Sequence, residues 1–262
     1  MTAGDKGAPP SGRATPRRRG TDTWAAALAD LFVPLECAGC GRARHRWCPG
    51  CAATLAGPPL VVRTRADLRV PAWALARHAG PPARAVSAYK DRGRSDLARP
   101  FGTALAAAID RLREAGEIAE AGERPTVLVP APASARARRR RGFDHVRDIV
   151  DVLAADLAGS LPTGPVVVAP LLEVRGRVRD ASGLGARARA DNLSGRIRRR
   201  PAGTVLRASP GAPDTVAALL ATPATVLFVD DVVTTGATAA ECVAVLAAGG
   251  LPVTAVLAVT AA

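Results

Sequence analysis

The stretch TVLFVDDVVTTGAT, residues 225–238, constrains the fold of this chain more than any other segment. Four apolar residues lead into two adjacent carboxylates, Asp230 and Asp231, and then into a loop of hydroxyls around a single glycine. The apolar run reads as a buried strand by its length and branching. Ala239 to Ala248 reads as a helix stopped by Gly249 and Gly250, and VTAVLAV as a final strand. In an open parallel sheet, ligands sit beyond the carboxyl ends of the strands, so Asp230 to Thr238 falls where a site is expected. A helix beginning near Thr238 presents unpaired N–H groups and the positive end of its dipole, which together suit a phosphate. Thr234, Thr235 and Thr238 add donors, and Gly236 lets the backbone approach closely. The two carboxylates suit the vicinal hydroxyls of a ribose, or a Mg²⁺ ion carrying such a sugar, because hard cations take oxygen ligands. The loop thus describes a ribose 5-phosphate with a divalent ion; the bland alternative is a solvated acidic turn before an ordinary capped helix.

Strand and helix patterns alternate through the rest of the chain, which argues a parallel α/β sheet. Trp24, Leu28, Leu31 and Phe32 mark a short helix stopped by Pro34. From Ser95, the residues Leu97, Phe101, Leu105 and Ile109 mark a second. TVLVP (126–130) and VVVA (166–169) are strands, with a helix carrying Val146, Ile149, Val150, Leu153 and Leu157 between them. A polar, Arg- and Gly-rich segment without periodicity covers roughly 173–203. At 262 residues the chain can bury one large core.

The cysteines make a second constraint. Cys37, Cys40, Cys48 and Cys51 read C-x2-C, seven residues, C-x2-C. Paired knuckles of this kind close four thiolates around Zn²⁺ in a structural site with no open position. A redox reading of C-x-x-C needs a thioredoxin-like context that this pattern lacks. Cys242, alone on the helix after the acid pair, reads as a small buried apolar residue. His78 and His145 have no visible metal partner and read as structural or exposed.

The net charge of +13 favours anionic partners: phosphosugars, nucleotides or nucleic acid. Part of it sits in the first twenty residues, a Gly-, Pro- and Arg-rich stretch that reads as a disordered basic tail, either inert or nucleic-acid-binding. Only two of the 36 basic residues are lysines, Lys6 and Lys90, so Lys90 stands out. No apolar stretch suffices for a membrane span and no apolar signal segment follows the N-terminal charges, so no membrane insertion and a cytoplasmic location are expected.

VLFVDDVVTTGAT resembles the phosphoribosyl-pyrophosphate (PRPP) signature of type I phosphoribosyltransferases. AYKDRGRSDLA (88–98), VPAPASARARRRRGF (129–143) and RGRVRDASGLGARARADNLSG (175–195) occur in the order found in the ComF family. That family joins a four-cysteine zinc module to a phosphoribosyltransferase domain, and the resemblance covers about residues 30 to 260. It implies a type I phosphoribosyltransferase fold over 80–262, a helix plus zinc module over 23–60 and a disordered tail over 1–22. Asp230 and Asp231 would hold the ribose hydroxyls and, indirectly, Mg²⁺, while Thr234, Thr235, Gly236, Ala237 and Thr238 would bind the 5-phosphate. The loop after the 126–130 strand would be the pyrophosphate loop, with Arg138 and Arg141 among its guanidiniums, whose forks match phosphate oxygens. Lys90 matches a motif lysine able to reach pyrophosphate. Arg187, Arg189 and Asn192 lie in the segment that matches the flexible loop, as ligand contacts or as a solvated basic stretch.

Two functions follow as expectations: Mg²⁺-dependent phosphoribosyl transfer from PRPP to an unidentified acceptor, or non-enzymatic handling of single-stranded DNA during uptake, with competence-machinery partners. The chain departs from the family at Asp144 and His145, where members carry Asn and Gln, and at Asp180 and Ser182, where they carry Thr and Gln. Residues 200–222 read as an insertion before the signature strand.

Overall fold

The computed structural model describes residues 35–120, 124–160, 164–175, 195–201, 204 and 206–262. The expected basic tail and the helix over 24–32 lie outside the described residues, as do Asp180, Ser182, Arg187, Arg189 and Asn192. Glu36–Ala262 forms one compact unit.

A seven-stranded, mostly parallel sheet is built from β1 (Leu60–Val61), β2 (Ala72–Arg77), β3 (Thr126–Pro130), β4 (Val166–Val168), β7 (Arg207–Ala208), β8 (Thr225–Val233) and β9 (Ala255–Ala261). Its order is β1-β2-β9-β8-β3-β4-β7, with only the two short edge strands antiparallel to their neighbours. A separate hairpin pairs β5 (Leu172–Val174) with β6 (Ile197–Arg199). The helices are α1 (Pro49–Ala53), α2 (Gly80–Asp91), α3 (Ala98–Glu114), α4 (Ala135–Arg141), α5 (His145–Gly159), α6 (Val216–Leu220) and α7 (Ala237–Ala248). The mixed α/β class and the parallel central sheet agree with the sequence reading.

Central strands buried on both faces need continuous apolar runs, and β3 and β4 are buried at every position. The helices α3 and α5 pack so closely that a Cβ on Gly102 would lie 2.6 Å from Val152 Cβ. That contact fixes the crossing point of the two helices.

β2 and the segment over 173–203 depart from the sequence reading. β2, AWALAR, has five of its six residues buried, yet alanine carries little strand preference and hides it. The segment over 173–203 has an ordered base, because Val174 pairs with Ile197 and Leu172 with Arg199. Buried Ile197 donates its N–H to Glu241 Oε1 at 3.3 Å, which pins the hairpin to α7.

The direction of the crossovers sets the position of the site. From β3 the chain passes through α5 to β4 on one side; from β8 it passes through α7 to β9 on the other. Adjacent parallel strands whose connections diverge make a topological switch point, and a crevice opens beyond their carboxyl ends. Right-handed crossovers running in opposite directions place α5 and α7 on opposite faces of the sheet.

Candidate functional site

The crevice lies where β3 stops and β8 continues. Pro130 pairs with Val229, and Ala131 donates its N–H to Val229 O at 2.8 Å. Beyond this point β8 keeps only β9, pairing Asp230 with Ala258, Val232 with Thr260 and Val233 with Ala261. The acid pair therefore sits inside a strand rather than at its end. Successive side chains of a strand point to opposite faces, so Asp230 and Asp231 diverge. The sequence reading treated them as neighbours acting together; β9, by pairing through Ala261, holds them extended and separates their roles.

Asp231 points toward α2 and α5 and is 2% exposed. Lys90 Nζ lies 2.9 Å from its Oδ2 and 3.1 Å from its Oδ1. His145 Nε2 lies 3.3 Å from Oδ2. Burial pushes the Asp231 carboxyl up, but the Lys90 charge and the His145 hydrogen bond outweigh it and hold the group well below the usual carboxylate range. Burial likewise pulls the Lys90 ammonium down, while Asp231 and Asp230 together carry it above its ordinary value.

Asp230, partly exposed, faces the side on which α7 lies. Its Oδ1 accepts the Asp231 N–H at 2.8 Å. Burial, followed by the neighbouring Asp231 charge, pushes its carboxyl well above the ordinary value. Two adjacent acids with their protonation driven apart are a pattern typical of functional clefts.

The turn after β8 leads directly into α7. Gly236 is the N-cap of α7 with φ +79°, a left-handed conformation natural to glycine, and it supplies no side-chain cap. By contrast Ser134 caps α4 and Thr215 caps α6 through their hydroxyls. Thr235 Oγ1 accepts the Ala237 N–H at 3.4 Å; Thr234 is exposed and Thr238 partly so. The segment between β1 and β2 covers this turn: Ala66 donates to Thr235 O at 3.0 Å, and a Cβ on Gly236 would lie 2.6 Å from Thr64 Cβ.

The basic helix α4 follows β3 on the other side of the crevice. Arg141 Nε donates to Lys90 O at 2.7 Å, which brings Arg141 beside Lys90 and Asp231. Arg138 lies 3.6 Å from Asp144 Oδ2, and Arg140 lies 3.8 Å from Asp91 Oδ1. The structure thus brings Lys90, Arg141 and Asp231 together, with the 234–238 turn on the same strand-loop-helix unit. The sequence reading missed His145, buried against Asp231. The one local signal was its position, a titratable ring directly after the Arg141-Gly142-Phe143-Asp144 run.

The four cysteines form a separate centre. Their Sγ atoms all lie within 4.8 Å of one another, and Cys40 and Cys48 approach to 3.6 Å. Burial pushes the Cys37 thiol up, but N–H groups of Cys48, Cys40 and Gly39 outweigh it and bring it down to about 6. Burial and the neighbouring thiols push Cys51 up. One readily formed thiolate beside a thiol that resists ionisation is an arrangement a bound cation resolves, and the set can bind a metal such as zinc. Arg94 ties this segment to the sheet domain, donating to Glu36 O at 3.1 Å and Arg46 O at 2.9 Å while forking onto Asp96 at 2.8 Å.

A cavity of about 750 Å³ lies beside the cysteine segment, lined by Trp47, Leu55, Pro100 and Ala104 with Arg44, Arg99 and Arg111. No helix among the described residues is long and apolar enough to cross a membrane. No protein-family model matches the chain, and no curated protein matches it.

Proposed function

We propose that this chain is a ComF-like protein of type I phosphoribosyltransferase fold, binding PRPP with Mg²⁺ at the β3/β8 crevice and transferring its phosphoribosyl group to an acceptor. The observation that carries this reading is the β8–α7 unit: an acid on a strand at the switch point, followed by a glycine-started helix without a side-chain cap. The first-turn N–H groups of α7 and the hydroxyls of Thr234, Thr235 and Thr238 take the 5-phosphate. Asp230 takes the ribose hydroxyls, its partly exposed oxygens also suiting the one or two carboxylates that Mg²⁺ usually accepts from a protein.

Breaking the C1–O bond sends its electron pair out with pyrophosphate, and the acceptor's lone pair forms the new bond at C1. The departing charge needs preorganised cations, which Lys90, Arg138 and Arg141 supply from α2 and α4. Mg²⁺, when bound, adds neutralisation of the pyrophosphate oxygens. Zn²⁺ at Cys37, Cys40, Cys48 and Cys51 is structural, since four thiolates leave no position open for water. A cytoplasmic location belongs to the same proposal.

Calorimetric titration of PRPP into the protein with Mg²⁺ tests it. Saturable binding that disappears in Asp230→Asn supports the reading; absence of binding, or binding indifferent to that substitution, overturns it.

The arginine-rimmed cavity favours a second reading, single-stranded DNA handling with competence-machinery partners. Half-buried Trp47 offers a stacking surface and Arg44, Arg99 and Arg111 offer phosphate contacts. Fluorescence anisotropy with an oligo-dT probe separates the two, because this binding survives Asp230→Asn and weakens steeply with salt.

A further inference from the structure

We infer that His145 is a positioning residue that couples the buried acid Asp231 to the basic helix α4, an inference that rests on the phosphoribosyl-transfer reading. His145 is 6% exposed and closes a loop of contacts among four residues. Lys90 Nζ meets Asp231, Asp231 Oδ2 meets His145 Nε2 at 3.3 Å, His145 Nδ1 meets Arg141 Nη1 at 3.4 Å, and Arg141 Nε returns to Lys90 O at 2.7 Å. A guanidinium only donates, so Nδ1 is the acceptor and carries no proton. That leaves Nε2 to carry the ring N–H, 3.3 Å from Asp231 Oδ2. The ring lies between a cation and an anion, with one nitrogen toward each.

The surroundings hold it there. Tyr89 OH donates to His145 O at 2.6 Å, and the Tyr89 ring packs edge-on to Phe143 at 5.4 Å and Phe101 at 5.6 Å. This support fixes the start of α5 immediately after the basic helix ends at Gly142 (φ +78°). Orientation of a hydrogen-bonded ring by fixed neighbours is how supporting residues keep reacting groups in place.

The division of the acids gives this loop its purpose. Asp230 is the ligand-facing carboxylate; Asp231 is an internal anchor to which α2, α4 and α5 are all tied. Arg141 is held at the crevice by Lys90 O through Nε and by His145 through Nη1, so His145 transmits the position of β8 to the cations that receive the leaving group.

Gln at position 145 offers an amide donor to Asp231 and an acceptor to Arg141; Phe offers ring volume and neither. With the full chain, His145→Phe weakens Mg²⁺–PRPP binding at least about tenfold, and His145→Gln restores it to within about threefold, both judged at matched thermal stability. A stable His145→Phe protein that binds as tightly as wild type, or a His145→Gln protein as weak as His145→Phe, overturns the inference. The nitrogen-15 shifts of the His145 ring test it without ligand and without any variant that must fold. An Nε2–H tautomer whose Nδ1 resonance moves in Arg141→Gln is expected, and an Nδ1–H tautomer or a charged ring overturns it. If wild type fails to bind PRPP while the tautomer holds, the proposed function falls and the coupling of Asp231 to α4 stands.

Discussion

Lys90 Nζ sits 2.9 Å from Asp231 Oδ2, so the carboxylate of the acid pair that faces α2 is already neutralised by the chain's own cation. The pair is one-third exposed at the lysine and nearly closed to water at the aspartate. Removing the lysine leaves a buried charge without its main partner, which is the costly half of such a pair. Partial exposure of the ammonium lessens the penalty. Lys90→Met is expected to lower unfolding stability by about 1–3 kcal/mol at neutral pH. Asp231 is held below its ordinary value, so its contribution is complete above pH about 4 and disappears as pH falls through its depressed folded value. Urea denaturation across acid pH checks this: wild type shows the acid loss, and Lys90→Met shows less of it.

Asp230 behaves in the opposite sense. Its carboxyl is raised by burial and by the Asp231 charge, so the folded chain holds a proton that the unfolded chain has released. The associated stability is complete below pH about 4 and is lost as pH rises through the raised folded value. Asp230→Asn removes that loss and is expected to stabilise the free protein by about 1 kcal/mol at neutral pH, as relief of a strained functional site commonly does. Mg²⁺–PRPP binding weakens at the same time by at least about tenfold, since an amide cannot give up a proton and present the carboxylate that the ion and the ribose hydroxyls require. Thermal melts and calorimetry on one preparation read both effects, and a destabilised Asp230→Asn would contradict the assignment.

Features carried by local residues were the legible ones. The β8–α7 unit and the cysteine knuckles are written in runs of a dozen residues, so spacing alone located them. β2 was hidden because AWALAR satisfies neither strand composition nor alternation, and it is a strand only because β9 pairs along it. The divergence of Asp230 and Asp231 was hidden for the same reason: whether β8 ends before the acids or runs through them depends on its partner. His145 reaches Asp231 only after α2, α5 and β8 assemble, and no spacing rule joins such distant positions.

The cover over the turn after β8 makes Gly236 specific. Alanine there must adopt φ +79° and bring a Cβ to 2.6 Å from Thr64 Cβ. The left-handed backbone costs about 1–2 kcal/mol and the overlap about 1–3 kcal/mol more. Gly236→Ala is expected to lose the sum, and Thr64→Gly in that background to recover only the overlap. A double-mutant cycle by denaturant titration separates the two costs.

Metal content gives a direct check on the cysteine centre. Purified protein is expected to carry one zinc per chain, and Cys37→Ala or Cys51→Ala to carry close to none, read by a colorimetric chelator after thiol modification. The backbone turn at Cys37 has its N–H bonded to Arg42 O at 2.9 Å and its carbonyl to Gly41 N–H at 2.9 Å. Wild-type protein without zinc when prepared under reducing, metal-replete conditions would remove the metal reading.

Arg94 connects that centre to the sheet domain, and its geometry makes lysine a poor substitute. One guanidinium forks onto both Asp96 oxygens at 2.8 Å and still reaches the carbonyls of Glu36 and Arg46. An ammonium is a point donor that cannot hold a planar fork and two further carbonyls at once. Arg94→Ala is expected to cost about 1.5–3 kcal/mol, the scale of charged hydrogen bonds, and Arg94→Lys to recover less than half of it. The hydrogen bonds from Arg94 hold the Asp96 carboxyl below its ordinary value despite partial burial. Asp96 therefore stabilises the fold fully above pH about 4 and loses that contribution as pH falls through its depressed value. In Arg94→Ala the share of the acid loss owed to Asp96 vanishes while that of Asp231 stays, and zinc release at neutral pH becomes faster because the cysteine segment loses its fastening at Glu36 and Arg46. Unchanged release kinetics in a folded Arg94→Ala protein would show that the metal centre keeps its shape without this arginine.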